Sequence, residues 1–330
     1  MIAMILAAGL GTRLRPLTDR IAKPALPILG DTLLGNNLAL VAAAGATEVV
    51  VNAHHLPQTV AAAARIAADR LGLRLHLSFE RPEVRGTGGA LVAARPLLDR
   101  GEPFLLLNGD VLTDLDPAAA VAAHLASGAA TTMVLRPMPP GAPFAPVEVD
   151  EGGLVARIAG HGREPAPGEE LRPYAFTGIH VLSSAIFDVL PAKGAPCVNR
   201  QGHASLVARG ARVLGHVQAE GSWSDVGTPE RYLQANLDVL EGRCRMPGWP
   251  FGAVERTPGA WVHPTAVVEA GAVLRAPCWI GPGARVGAAA AVGPRAALLE
   301  GSLALAEVRD AVLPPGAKAG APCVGRLAGA

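Results

Sequence analysis

Residues 5–27, ILAAGLGTRLRPLTDRIAKPALP, decide how the rest of the chain is read. An apolar run from Ile2 to Ala8 has the composition of a short buried strand, and it breaks into a glycine-rich turn, Gly9-Leu10-Gly11-Thr12. Arg13, Arg15 and Lys23 follow closely. A strand that opens into a loop of backbone N–H groups, with cations just behind, is a means of gripping phosphate. Glycine serves there because a Cβ would keep the backbone from closing around the anion. The segment points to nucleotide chemistry.

Two common phosphate loops do not fit. A dinucleotide fingerprint needs a third glycine, which is absent, and Pro16 stands where its helix should be running. A Walker A loop needs Gly-Lys-Ser or Gly-Lys-Thr, and this segment has neither.

Composition bounds the remaining classes. A chain of 330 residues is long enough for two domains, and a net charge of +1 argues against general nucleic-acid binding. Cys197, Cys244, Cys278 and Cys323 are dispersed with no CxxC pair, the pattern of reduced thiols that bind no metal. No run of 18 or more apolar residues occurs, and Met1 leads straight into a core strand. The expectation is a cytoplasmic protein with neither leader nor membrane span.

The chain divides into two architectures. Up to about residue 240, the apolar runs Ile2–Ala8, Glu48–Asn52, Leu73–Phe79, Phe104–Leu107, Thr131–Leu135 and Gly178–Leu182 alternate with alanine-rich stretches. Those stretches, Leu33–Gly45, Thr59–Gly72, Ala90–Leu98 and Pro117–Ser127, read as crossover helices, with Gly45, Gly72 and Gly128 at the C-cap positions. The pattern predicts an α/β doubly wound, mostly parallel sheet. Ligands of such sheets bind at the carboxyl ends of strands, which puts the Gly9 loop and the Asn108-Gly109-Asp110 turn on one edge.

The tail has a different period. Val262, Val268, Leu274, Ile280, Val286, Val292 and Leu298 recur every six residues, and four positions after each of the first six stands a small residue, Ala266, Ala272, Cys278, Ala284, Ala290 or Ala296. One branched and one small residue per hexapeptide is the signature of a parallel β-helix. The pattern blurs beyond Leu298, and about 65 residues at six per side make three to four coils. The predicted organisation is a catalytic domain over residues 1–240, a linker over 241–258 and a β-helix over 259–330.

Two acids sit where chemistry would need them. Asp110 ends a buried strand, and Asp225 lies in Gly221-Ser-Trp-Ser-Asp-Val-Gly-Thr228 just before Pro229 opens a helix. An Asp at such a place is often a turn former or cap. Two of them beside a phosphate loop instead suggest hard carboxylate ligands for the Mg²⁺ of a nucleoside triphosphate.

The order Gly9-x-Gly11-Thr12-Arg13-Leu14-x-Pro16, then Lys23-Pro24, closely resembles the signature of sugar-1-phosphate nucleotidylyltransferases (NDP-sugar pyrophosphorylases). The Asn108-Gly109-Asp110 turn and the Trp223-x-Asp225-x-Gly227-Thr228 segment resemble the places of that family's metal acids. The resemblance covers residues 1–240, and the hexapeptide tail extends it to the branch with a left-handed β-helix. It implies a transferase that joins a sugar 1-phosphate to the nucleoside monophosphate of an NTP and releases pyrophosphate.

The resemblance also implies roles. Asp110 and Asp225 would hold Mg²⁺, Arg13 the departing phosphates and Lys23 the attacking phosphate. Ala7, Ala8, Gly9, Leu10, Gly11, Thr12 and Arg13 would line the triphosphate, with the amides of Gly9, Gly11 and Thr12 cradling it. Gly86, Thr87 and Gly88, in Arg85-Gly-Thr-Gly-Gly-Ala90, would meet the base. Asn108, Gly109, Glu148, Thr177 and Gly178 would face the sugar. One departure stands out: many relatives carry Glu-Lys-Pro where this chain has Ala159-Gly-His-Gly-Arg163, so a sugar-contacting acid and a phosphate-contacting lysine are either missing or replaced by His161 or Arg163.

The short β-helix looks most like that of mannose-1-phosphate guanylyltransferases, which implies GTP and mannose 1-phosphate. The Ala-Ala-Gly opening and the Phe176-Thr-Gly-Ile179 segment look equally like uridylyltransferases or thymidylyltransferases acting on N-acetylmuramate or glucose 1-phosphate. A regulatory sugar-nucleotide-binding subunit is the non-enzyme alternative. The expected partners are the NTP and the sugar 1-phosphate, with no nucleic acid or membrane, in a homo-oligomer. His54-His55 lacks a third metal ligand in sequence, and a helix this short leaves His263 no acyltransferase role.

Overall fold

The computed structural model describes residues 1–139, 141 and 144–327. Its helices are α1 (Leu33–Ala43), α2 (Pro57–Leu71), α3 (Gly86–Leu98), α4 (Pro117–Ser127), α5 (Ala204–Ala208) and α6 (Pro229–Leu240). The chain forms two compact units that do not follow sequence order. One comprises Met1–Gly9, Asn37–Val111 and Leu115–Gly221; the other comprises Leu10–Asn36, Leu112–Asp114 and Ser222–Ala330.

The first unit is built on a ten-stranded mixed sheet. Its parallel heart sets Ile2–Leu6 between Glu48–Ala53 and Phe104–Asn108, with Arg74–Phe79 outside Glu48–Ala53. Beyond Phe104–Asn108 the sheet turns antiparallel through Arg172–Leu182, Val147–Val149, Val155–Ile158 and His161–Gly162. Thr131–Pro137 pairs with Arg172–Leu182, and Val213–Val217 runs parallel to it. Val147–Val149 is short and alternates apolar with polar residues, so a search for apolar runs passes over it.

The helices end where the sequence marks them. Asp116 caps α4 by accepting from the Ala118 N–H at 2.8 Å, and Gly72 and Gly128 close α2 and α4 in the left-handed conformation. Such a cap stabilises a helix by about 1 kcal/mol. Met4, Phe104, Leu106, Met133 and Leu135 of the sheet pack with Leu91 and Leu98 of α3 in one buried core. Each such side chain contributes roughly 1.5–3 kcal/mol.

The second unit contains the β-helix. Three parallel ladders of four strands each form its sides. Cys278, Ile280, Val286, Val292 and Leu298 all point inward and are buried, as the period predicts. Ala260 pairs with Cys278 and Cys278 with Ala296, eighteen residues per coil. The next coil is shorter: Ala296 pairs with Ala311 and Leu303 with Lys318, fifteen residues apart. The inward row continues through Ala304, Val308, Leu313, Ala319 and Cys323 at uneven spacing. That shortening is why the hexapeptide pattern fades after Leu298.

One side of the helix is not solvent-facing. Its outward row, Trp261, Trp279, Ala297 and Val312, stacks in register. Trp279, Ala297 and Val312 share a core with Tyr232, Ala235, Leu237 and Val239 of α6, and with Leu14, Leu26, Ile28 and Leu33. The segment that follows the glycine turn is therefore packed into the same hydrophobic core as the β-helix. Among the described residues, no helix is long and apolar enough to cross a membrane.

Candidate functional site

In the first unit, the site-side features lie at the carboxyl ends of neighbouring strands. Leu6 is in register with Asn108, and the Gly109 N–H donates to Leu6 O at 2.9 Å. A Cβ on Gly109 would lie 2.6 Å from that carbonyl, so only glycine lets the turn before Asp110 close against the strand. Asn108 is also pressed by Gly178, whose φ of +87° puts it in the left-handed region and whose absent Cβ would fall 2.9 Å from Asn108 Nδ2. Asn108, Gly109, Asp110 and Gly178 are thus held together by backbone fit.

Ala7 and Ala8 are buried. The Ala7 N–H donates to Asn52 Oδ1 at 2.6 Å, Asn52 Nδ2 donates to Glu80 Oε1 at 2.7 Å, and the Arg85 N–H donates to Glu80 Oε2 at 2.7 Å. His54 Nδ1 lies 3.0 Å from Glu80 O. Asn52 and Glu80 are both buried, and this chain of bonds ties three strand ends to the start of α3. Sequence reading missed it because Ala7 and Asn52 are 45 residues apart and Asn52 and Glu80 are 28 apart. Gly9 differs from its neighbours: a Cβ there would meet nothing within 4 Å.

The second glycine turn is packed. The Val198 N–H donates to Thr87 Oγ1 and the Gly88 N–H donates to Pro196 O, each at 2.8 Å. Gly86 has φ +70°, and its Cβ would sit 2.8 Å from Ala195 O. Thr177 is buried, with its hydroxyl donating to Val134 O at 2.8 Å. Glu148 accepts from Arg157 Nη2 at 2.9 Å. Arg163 pairs with Glu169 at 2.5 Å and Asp150 at 3.1 Å, which pushes the guanidinium pKa up and holds the Glu169 carboxyl down at about 2. His161 is exposed in its short edge strand. In this structure Arg163 is engaged by acids of its own loop.

In the second unit, Leu10, Thr12 and Arg13 are exposed, while Lys23 is only 6 % exposed. Gly11 (φ +63°) starts the short helical turn Thr12–Leu14, and its carbonyl accepts from Thr18 Oγ1 at 2.8 Å. Lys23 Nζ lies 3.5 Å from Asp225 Oδ1, and Arg231 Nη1 donates to Asp225 Oδ2 at 2.9 Å. A Cβ on Gly227 would lie 2.9 Å from Arg13 Nη2 and 3.2 Å from each Asp225 oxygen. One carboxylate is therefore paired by Lys23 and Arg231, and Gly227 leaves room between it and Arg13. Arg231 is the member that sequence reading overlooked.

This cluster is held from behind. Tyr232 OH donates to Pro27 O at 2.5 Å, and the Leu29 N–H donates to Asn236 Oδ1 at 2.9 Å. Burial pushes the Tyr232 phenol pKa upward, so it stays a donor. Thr228 caps α6 in front of Arg231, and Val226 is fully buried. Among the described residues no three His, Cys, Asp or Glu gather as a metal cage. Mg²⁺ does not need one, since it takes one or two carboxylates and completes its shell with water and substrate phosphates. A carboxylate has about four lone-pair directions. Lys23 and Arg231 leave some of those of Asp225 open, so the donor set fits a hard cation.

Residues 2–242 match the family model described as nucleotidyl transferase. The chain belongs to that family. It is similar to the mannose-1-phosphate guanylyltransferase of Mycobacterium tuberculosis, 31 % identical over 287 residues that cover 86 % of this chain and 77 % of the relative. The UTP–glucose-1-phosphate uridylyltransferase of Synechocystis is 31 % identical over 274 residues, covering 79 % and 68 %. The N-acetylmuramate α-1-phosphate uridylyltransferase of Neisseria meningitidis is 34 % identical over 244 residues, covering 71 % of this chain and 96 % of the relative. Membership makes this chain an enzyme of the nucleotidyl transferase family, as the Gly9–Lys23 signature implied. It also fits a mixed α/β sheet followed by a β-helix.

Proposed function

We propose that the protein condenses GTP with mannose 1-phosphate to give GDP-mannose and pyrophosphate. The observation that carries the reaction is the pairing of Asp225 by Lys23 and Arg231, with Arg13 across the space that Gly227 leaves open. The choice of mannose and GTP is supported by the similarity to the mycobacterial relative, which runs over 86 % of the chain. A uridylyltransferase for N-acetylmuramate 1-phosphate is the second reading, favoured by the higher identity, 34 %, to the neisserial relative.

The chemistry asks little of a general base, because the attacking sugar phosphate is already an anion. It asks for alignment of attacking and leaving oxygens and for neutralisation of charge at the α-phosphate. Main chain at Gly9, Gly11 and Thr12 would cradle the triphosphate. Arg13, with its forked donors, would hold the departing pyrophosphate. Lys23 would set a point charge at the attacking phosphate. The base is proposed to lie along the main chain at Gly86–Gly88, and the sugar beside Asn108, Gly109, Thr177 and Gly178. Glu148 would reach a sugar hydroxyl with the oxygen that Arg157 leaves open. Asp110 and Asp225 are the proposed Mg²⁺ ligands; the ion, when bound, would withdraw charge from the phosphate oxygens. The proposal also takes residues 1–240 as the catalytic part, 241–258 as the link and 259–330 as a β-helix that mediates assembly in a cytoplasmic homo-oligomer.

The test is pyrophosphate release with Mg²⁺ for GTP, UTP, dTTP, ATP and CTP against mannose, glucose, N-acetylglucosamine and N-acetylmuramate 1-phosphates. Preference for GTP with mannose 1-phosphate is the expected result. UTP with N-acetylmuramate 1-phosphate would establish the second reading, and binding of a sugar nucleotide without turnover would make the chain a regulatory subunit.

A further inference from the structure

Arg231 is not part of the glycine-loop signature, yet it makes the shorter of the two ion pairs to Asp225. Its Nη1 is 2.9 Å from Oδ2, against 3.5 Å from Lys23 Nζ to Oδ1. Arg231 stands in the first turn of α6, behind the Thr228 cap, and Tyr232 beside it is buried and bonded to Pro27. The helix therefore delivers the guanidinium to the carboxylate from a rigid support. Arg13 lies on the same side, since the point where a Gly227 Cβ would stand is within 3.2 Å of both Asp225 oxygens and 2.9 Å of Arg13 Nη2.

A single carboxylate with a cation on each oxygen is already neutralised. A divalent ion ligated to it at about 2.1 Å would stand within a few ångströms of a fixed guanidinium. Like charges at that range repel strongly even at the effective dielectric of a protein surface. Arg231 cannot relieve this by losing its proton, because a guanidinium stays charged at any physiological pH. Bound triphosphate changes the balance, since its negative charge offsets the repulsion.

We propose that Arg231 is an internal counter-ion of Asp225 that holds off a divalent cation until nucleotide phosphates arrive, so that metal and nucleotide bind together. This rests on the reading of Asp225 as a metal ligand. Arg231 is thereby a positioning residue, acting through Asp225 and not on the reacting atoms.

The experiment is Mn²⁺ binding followed by electron paramagnetic resonance, with wild type, Arg231→Gln, Arg231→Lys and Asp225→Asn, each alone and with GTP or UTP. Thermal melts check that every variant is folded. Without nucleotide, Arg231→Gln is expected to bind Mn²⁺ about tenfold more tightly than wild type, and Arg231→Lys to stay within about threefold. With nucleotide the gap between Arg231→Gln and wild type should close to about threefold or less. Unchanged or weaker Mn²⁺ binding by Arg231→Gln, with Asp225→Asn abolishing it, overturns the counter-ion role alone. Binding that Asp225→Asn leaves untouched overturns the metal-ligand reading and this inference with it.

Discussion

The chain has two glycine-rich turns that follow sheet strands and precede helical turns, and they use the absence of a side chain for opposite purposes. At Gly9 a Cβ would meet nothing within 4 Å, so the space in front of the backbone is open. At Gly86 and Gly88 the same space is filled by protein: Ala195 O at 2.8 Å from one hypothetical Cβ, Leu190 Cδ2 at 2.8 Å and Pro196 O at 3.0 Å from the other. The space in front of the first turn is open, and beside the second it is taken by the protein's own chain. Sequence alone does not separate these cases, because the demand for a bare Cα is identical.

Substitutions test the contrast, beginning with the acid that Lys23 and Arg231 pair. Asp225→Ala should cut turnover by about a thousandfold, the scale of losing a charge-stabilising group from a phosphoryl-transfer site. Steady-state pyrophosphate release checks this, and turnover within threefold of wild type would remove Asp225 from the machinery. Gly86→Ala should destabilise the fold by about 3 kcal/mol, because φ of +70° and a backbone oxygen at 2.8 Å both oppose the new methyl. Urea unfolding reports it.

Acid should reach the packed turn through its support. Pro196 and Val198, which bond α3, lead into the segment that ends at His203, and that ring is fully buried. His203 Nδ1 lies 2.8 Å from Thr131 Oγ1 and Nε2 lies 2.8 Å from His180 Nδ1. Burial drops the His203 pKa from 6.5 to about 3. The unfolded chain therefore takes the proton first. The stabilisation is complete above pH 6.5 and drains away as pH falls toward 3. Between pH 8 and pH 5 the loss from this group should be about 2 kcal/mol, and His203→Gln should flatten that limb of the stability curve. Gly9→Ala is the smallest effect: melting unchanged within about 0.5 kcal/mol, nucleotide affinity weakened about tenfold. If Gly9→Ala melted early instead, the two turns would be alike after all.

What was legible in the sequence follows from period and order. Alternating strands and helices gave the parallel heart, with α4 matched at both ends, because Pro117 opens it and Gly128 closes it. The hexapeptide row placed seven inward residues of the β-helix. What stayed hidden depends on contacts between distant residues. No local pattern says that the Trp261–Val312 row is covered by α6, or that Leu14 and Leu26 join that core. Arg231 was missed because it reaches Asp225 only by way of a strand end, a glycine and a capped first turn. The Asn52–Glu80 pair was missed because a buried Asn and Glu look like surface residues in one dimension.

The change of the coil from eighteen residues to fifteen leaves its sides intact: Ala296 pairs with Ala311, Leu303 with Lys318 and Val308 with Cys323. The three residues are missing from the corners on either side of Val308–Arg309. Length can thus change where the coil bends without breaking the ladders that hold it.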